Sequence, residues 1–190
     1  VQLTPRQTEF ADAALRMLVR EGMAAVSFRT VAAEAGMSVG AVQKAFPTKD
    51  EMLRAMFARL RATASAPVLS EPGRPTLSGW LVDLMVAVLP LDGPRRAAEL
   101  QGAAFAERAA FDPAIADAVA SSDRELRVAI AGLVNRARAE GEVPGSVDAD
   151  AVAWGVLAFM QGMSSQLLYD PAPEDEVRRQ CEWVVDGLLS

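Results

Sequence analysis

The chain has 190 residues, 51% of them apolar, and a net charge of −6, enough for one compact unit or a small domain joined to a larger one. It has no histidine and a single cysteine, Cys181. That excludes a His/Cys zinc site, a histidine base, a Ser-His-Asp triad and an internal disulfide, and no cofactor is expected.

Alanine is abundant, aromatic residues make up only 6%, and no alternating strand pattern is sustained, so an all-α fold of about nine helices is predicted. Thr4-Pro5-Arg6-Gln7 announces the first helix, with Thr4 as N-cap, Pro5 at the first helical position and Gln7 closing a capping box. Phe10, Ala14, Met17 and Leu18 form its buried stripe, and Gly22 ends it. Ser27 caps a second helix with Phe28, Val31, Ala32 and Ala35 on one face, and Gly36 makes the turn. Ser38 caps a third, short helix with Val42 and Phe46 inward, stopped by Pro47. Two short helices about a glycine turn have the layout of a helix-turn-helix, whose second helix can enter a DNA major groove. Thr48-Lys49-Asp50-Glu51 is another capping box and opens a connector helix over 49–64.

Residues 65–75, with three prolines and a glycine, read as a boundary loop. Helices are predicted beyond it at 76–89, 93–110, 113–140, 148–169 and 174–189, forming an antiparallel bundle over 76–190. The expected domains are thus 1–48, the 49–64 connector, the 65–75 loop and 76–190.

Charge divides along the same line. Residues 1–60 carry eight basic and six acidic side chains, whereas the rest carries 11 basic against 19 acidic. Such asymmetry suits a molecule that presents one end to a polyanion. The longest apolar run, 151–160, falls short of the roughly 20 residues a membrane span needs, so no membrane partner is expected. One unpaired cysteine fits a reducing, cytoplasmic setting. No signal-peptide pattern opens the chain, and because it begins at Val1 rather than methionine, residues upstream are left open.

On the third helix, Gly40 and Lys44 point away from the core, flanked by Ala41 and Gln43. Gly40 allows close backbone approach, Lys44 suits a phosphate or guanine edge, and Gln43 suits adenine. Val39 and Ala41 suit thymine methyls. Arg29 suits a bidentate guanine contact or a phosphate clamp. Ser27, Ser38 and Lys49 stand at helix starts, where free amides favour phosphate. Two readings compete with double-stranded DNA binding: an interaction bundle that never touches DNA, and a helical enzyme. The carboxylate pairs the enzyme would need, Asp123/Glu125 and Glu140/Glu142, sit at i, i+2 spacing and diverge.

The segment 6–60 resembles the N-terminal domain of TetR-family transcriptional regulators. The resemblance is carried by Gly22, by Ser27-x-Arg29-x-Val31-Ala32-x-x-Ala35-Gly36-Met37-Ser38, by Gly40-x-Val42 and by Phe46-Pro47-Thr48-Lys49-Asp50-Glu51-Met52-Leu53. The family's usual tyrosine at Gln43, histidine or aromatic at Lys44 or Ala45, and lysine at Val39 are all missing, so its operator contacts do not carry over there. The resemblance implies a ligand-responsive repressor whose C-terminal helices dimerise and commonly hold an effector pocket.

The residues independently favour a homodimer. Ala151, Gly155, Ala158 and Gly162 make a small-residue stripe on a helix that also carries Trp154, Val156, Phe159, Met160 and Met163. The last helix adds Val177, Cys181, Val184, Val185 and Leu188, with Trp183 and Gly187 on another face. A two-fold pair would read half-sites about 34–36 Å apart in a pseudo-palindromic operator. For an effector, Trp80, Leu84, Met85, Phe105, Phe159 and Met163 are candidate lining residues, with Gln101, Gln161 or Gln166 to orient a neutral or weakly polar organic molecule.

Overall fold

A computed structural model describes residues 3–63 and 76–190; the predicted loop at 65–75 lies outside the described residues. Among these are nine α-helices, one short 3-10 turn and no strand. The helices are α1 (Pro5–Glu21), α2 (Phe28–Glu34), α3 (Val39–Ala45), α4 (Lys49–Thr63), α5 (Leu77–Val88), α6 (Gly93–Ala109), α7 (Pro113–Ala139), α8 (Ala149–Tyr169) and α9 (Glu174–Leu188).

Most helix boundaries follow from capping chemistry. The Thr4 hydroxyl accepts from the Gln7 amide, and the Gln7 side chain accepts from the Thr4 amide in return. Ser27 and Thr30 make the same reciprocal box at the start of α2. Ser38 caps α3 through the Ala41 amide, and the Thr48 hydroxyl accepts from the Glu51 amide at the start of α4. Asp112 and Asp148 cap α7 and α8. Gly36, at φ +65°, takes the left-handed conformation that turns α2 toward α3, where a Cβ would be strained.

The described residues form two compact units. One holds the helices up to Thr63 with Leu100–Ala116; the other holds residues from Thr76 to Glu99 with Asp117–Ser190. The division is discontinuous in sequence. Residues 100–116, which sequence order puts in the C-terminal domain, pack instead with the helix-turn-helix, and α6 passes through both units as one unbroken helix.

In the first unit α1 is the hub, packing on α2, α3 and α4. Phe10, Met17, Leu18, Val31, Val42, Phe46, Met52 and Met56 are buried, each large side chain contributing about 1.5–3 kcal/mol. The Phe10 and Phe46 rings meet edge-on at 6.4 Å. Glu34 of α2 takes both Arg16 and Arg20 of α1, at 3.1 and 2.9 Å. The Arg20 hydrogen bond, then that of Arg16, holds its carboxyl below the ordinary range. Asp12 ties α1 to Arg59 of α4 at 2.7 Å.

In the second unit α5 packs on α9 and α8 on α9. Their core collects Leu81, Met85, Ile130, Val134, Val156 and Val185. Gly155 makes the α8–α9 approach close: a Cβ there would stand 2.8 Å from a Leu188 methyl. No single helix among the described residues is long and apolar enough to cross a membrane.

Candidate nucleic-acid interface

α2 and α3 are seven residues each, too short to hold their shape in isolation. They persist because capping hydroxyls satisfy their first amides and because Val31, Val42 and Phe46 anchor them on α1. With those side chains inward, helical geometry turns the intervening positions outward. Val39, Gly40, Gln43 and Lys44 are exposed, and Ala41 is half-buried. Nothing lies within 4 Å of where a Gly40 Cβ would sit, so the glycine leaves bare backbone facing solvent.

The electrostatics sort the basic residues of this unit. Arg6, Arg16, Arg20 and Arg59 are each committed to carboxylates, on Glu9, Glu34, Glu21 with Glu34, and Asp12 respectively. Arg29, Lys44 and Lys49 are exposed, and none makes an ion pair with a described residue. Arg54 on α4 shares that condition and was not singled out from sequence. Unpaired cations beside an outward helix face leave a positive field available for phosphate.

Ser27 and Ser38 differ from the cations, because their hydroxyls are already engaged. Ser27 Oγ accepts from the Thr30 amide at 3.3 Å, and Ser38 Oγ accepts from the Ala41 amide at 3.2 Å. Both act first as N-caps. Thr30 was not marked from sequence because a threonine replaces the usual glutamate of a capping box. It also donates to the Ala25 carbonyl at 2.7 Å, fixing the entry to α2.

The candidate effector residues separate. Leu84 and Met85 are closed into the core of the second unit, with Trp80, Phe159 and Met163 packed partly buried against it. Phe105 lies in the first unit, fully buried, its ring 5.1 Å from that of Phe57. Among the three glutamines, Gln101 donates to the Leu15 carbonyl at 3.4 Å and Gln161 to Asp123 at 3.4 Å. Gln166 and Met163 line an open groove of about 400 Å³ with Tyr169, Asp170 and Glu176. Sequence reasoning passed over Glu99. This half-buried carboxylate of α6 lies beside Ser164, itself only 6% exposed, and burial pushes its pKa up, with Ser164 partly offsetting the shift.

Two family models match the chain: bacterial regulatory proteins of the tetR family over residues 10–56, and the C-terminal domain of the BetI-type transcriptional repressors over residues 78–190. The HTH-type nicotine-responsive transcriptional repressor HdnoR of Paenarthrobacter nicotinovorans is 27% identical over 195 residues, covering 100% of this chain and 96% of that protein. A transcriptional regulator from Rhodococcus sp. Rha1 superposes with a TM-score of 0.85 at 26% identity, over 98% of this chain and 96% of the other. The multidrug binding protein EbrR, complexed with imidazole, superposes at 0.66 with 28% identity, over 98% of this chain and 96% of the other. The chain belongs to the tetR family of bacterial regulatory proteins and is a DNA-binding transcriptional regulator with a C-terminal domain of the BetI repressor type.

Proposed function

We propose that the protein is a homodimeric, ligand-responsive repressor that works in the cytoplasm. It binds a pseudo-palindromic operator through α3, supported by Arg29 and Lys49. The observation that carries this reading is that Arg29, Lys44 and Lys49 are exposed and make no ion pair with a described residue, while the reading helix has bare backbone at Gly40. Gln43 and Lys44 read base edges or phosphate, Val39 and Ala41 contact apolar base surface, and the starts of α2 and α3 at Ser27 and Ser38 face phosphate.

Pairing of two copies is supported by α8 and α9. Trp154 is 60% exposed and Trp183 75% exposed, on helices that pack against each other. Ala151, Ala158 and Gly162 are exposed beside Trp154. Large aromatic rings next to small residues give a second copy both area and close approach.

For the effector we propose an organic amine in the second unit. HdnoR is nicotine-responsive and EbrR is complexed in separate structures with imidazole and ethidium, and each of those ligands carries basic or cationic nitrogen. Glu99 supplies the complementary charge here: it is half-buried, makes no ion pair with a described residue, and lies beside Ser164. Met163, Phe159 and Trp80 offer polarizable and aromatic surface on the same unit. The sequence alone points to a neutral or weakly polar organic molecule; the amine reading rests on Glu99 and on the ligands of HdnoR and EbrR. Because α6 carries Glu99 and continues unbroken into the residues packed on α4, a ligand that favours one setting of α6 biases α4 and hence α3.

The test is selection of duplexes from a random pool, followed by titration of the winning sequence at several salt concentrations. A steep salt slope and a symmetric site bear the reading out. Equal affinity for a scrambled duplex overturns it.

A further inference from the structure

We infer that Gln7 is a positioning residue for the reading helix, an inference that rests on α3 being the helix that meets DNA. In the sequence Gln7 belongs to the start of α1, 38 positions before the end of α3. Its side chain serves both places. Oε1 accepts from the Thr4 amide at 3.0 Å and from the Thr4 hydroxyl at 3.1 Å, closing the capping box. Nε2 donates to the Ala45 carbonyl at 3.1 Å in a part-buried setting.

Ala45 is the last residue of α3, and the final carbonyls of a helix have no partner within it. In a seven-residue helix such carbonyls are a large share of the whole. The capping box leaves the Gln7 amide little freedom, because moving Oε1 breaks two bonds to Thr4. The Gln7–Ala45 bond therefore transmits the rigid start of α1 to the far end of α3, while Val42 and Phe46 hold its inner side. Gln7 also lines a groove with Thr4, Arg6, Ala41, Lys44 and Ala45, so a tilt of α3 about the Phe46 anchor would displace Lys44.

Two substitutions separate the roles. Gln7→Glu keeps an acceptor for Thr4 but replaces the Ala45 donor by a carboxylate oxygen. Gln7→Met removes both at nearly constant volume and adds no charge. Affinity is read by fluorescence anisotropy for the duplex the wild type selects and for a scrambled duplex of equal length, and thermal unfolding is followed alongside.

Both variants are expected to lose about tenfold in the ratio of selected to scrambled affinity, equivalent to about 1.4 kcal/mol. Gln7→Glu should show an unchanged melting temperature. The scrambled duplex reports the nonspecific effect of the added charge, which the ratio removes. An unchanged ratio in both variants overturns the inference, leaving Gln7 as a cap alone. So does a fall in the ratio that accompanies an equal loss of stability in both. A wild type that does not prefer its selected duplex overturns the DNA-reading function itself, and this inference with it.

Discussion

Phe57 of α4 and Phe105 of α6 meet with ring centroids 5.1 Å apart and planes tilted by 58°. Around them Arg108 of α6 pairs with Asp50 at the start of α4 at 2.8 Å, and Gln101 reaches the Leu15 carbonyl of α1. Three contacts of different chemistry thus fasten residues 100–109 to the DNA-reading unit, while residues 93–99 of the same helix belong to the other unit. Phe105→Ala should cost about 3–5 kcal/mol, as for other large-to-small changes at fully buried rings, seen in urea unfolding. Phe105→Leu should keep the fold and the operator affinity but reduce the change in that affinity caused by an amine ligand. An undiminished ligand response in the leucine variant would remove α6 as the route between the units.

Lys44→Ala and Arg29→Ala should each weaken binding to the selected duplex while leaving the melting temperature unchanged, because neither side chain makes an ion pair with a described residue. Loss of a phosphate contact lowers the salt slope by about 1, whereas loss of a bidentate guanine contact costs about 1–3 kcal/mol and relaxes specificity at one position. Gly40→Ala adds a methyl with no protein neighbour within 4 Å, so the fold should tolerate it. A weaker operator complex with unchanged stability would then measure how closely DNA approaches that backbone.

Trp154 packs one face on the Arg127 guanidinium, 3.9 Å from its ring centroid, yet stays 60% exposed. Trp154→Glu or Trp183→Glu should shift the protein to monomers in analytical ultracentrifugation, by placing charge where a second copy would cover apolar surface. Operator affinity should fall with it, since a monomer reads one half-site. Variants that sediment with the wild type would move the pairing face elsewhere.

Much of this architecture is legible in the residues. Thr4-Pro5, Ser27, Ser38, Asp112-Pro113 and Asp148 mark helix starts because capping is local chemistry, confined to about four positions. The outward set on α3 is legible for the same reason, since Val42 and Phe46 define the inner side and helical geometry does the rest. The Gln7–Ala45 bond and the Phe57–Phe105 contact are not legible, because they join positions 38 and 48 apart and depend on how helices cross. Phe105 shows the consequence: an aromatic on an apolar helix reads equally as ligand surface or as core, and here it is core. Glu99 is not legible either, because a lone glutamate on a helix usually faces water, and its partial burial depends on how α6 packs in the fold.

Glu34 links stability to pH. Hydrogen bonds from Arg20 and then Arg16 hold its folded pKa below the unfolded value, so the deprotonated form favours the native state. That contribution is present above the ordinary carboxylate pKa of about 4.5 and is lost as pH falls through the folded value. Glu34→Gln should lower stability at pH 7, and the penalty should shrink as pH is lowered below the ordinary carboxylate range, in urea titrations across that range. A penalty that does not change as pH falls would show that packing, not charge, is what the residue supplies.

Glu99 has the opposite sign. Burial, only partly offset by the Ser164 hydrogen bond, raises its folded pKa, so the native state binds a proton more readily than the unfolded chain. Stability is therefore favoured at acidic pH and declines as pH rises from the unfolded value through the folded one. Glu99→Gln removes the ionisable group while keeping an acceptor for Ser164, so this variant should be more stable than wild type at pH 7 and similar to it at pH 4. If the carboxylate is held half-buried to meet a cationic nitrogen, the same variant should also lose its response to a quaternary ammonium such as tetraethylammonium. It should bind the selected duplex normally without ligand. A gain in stability with the ligand response intact would make Glu99 a structural acceptor and return the charge-recognising group to another residue of the second unit.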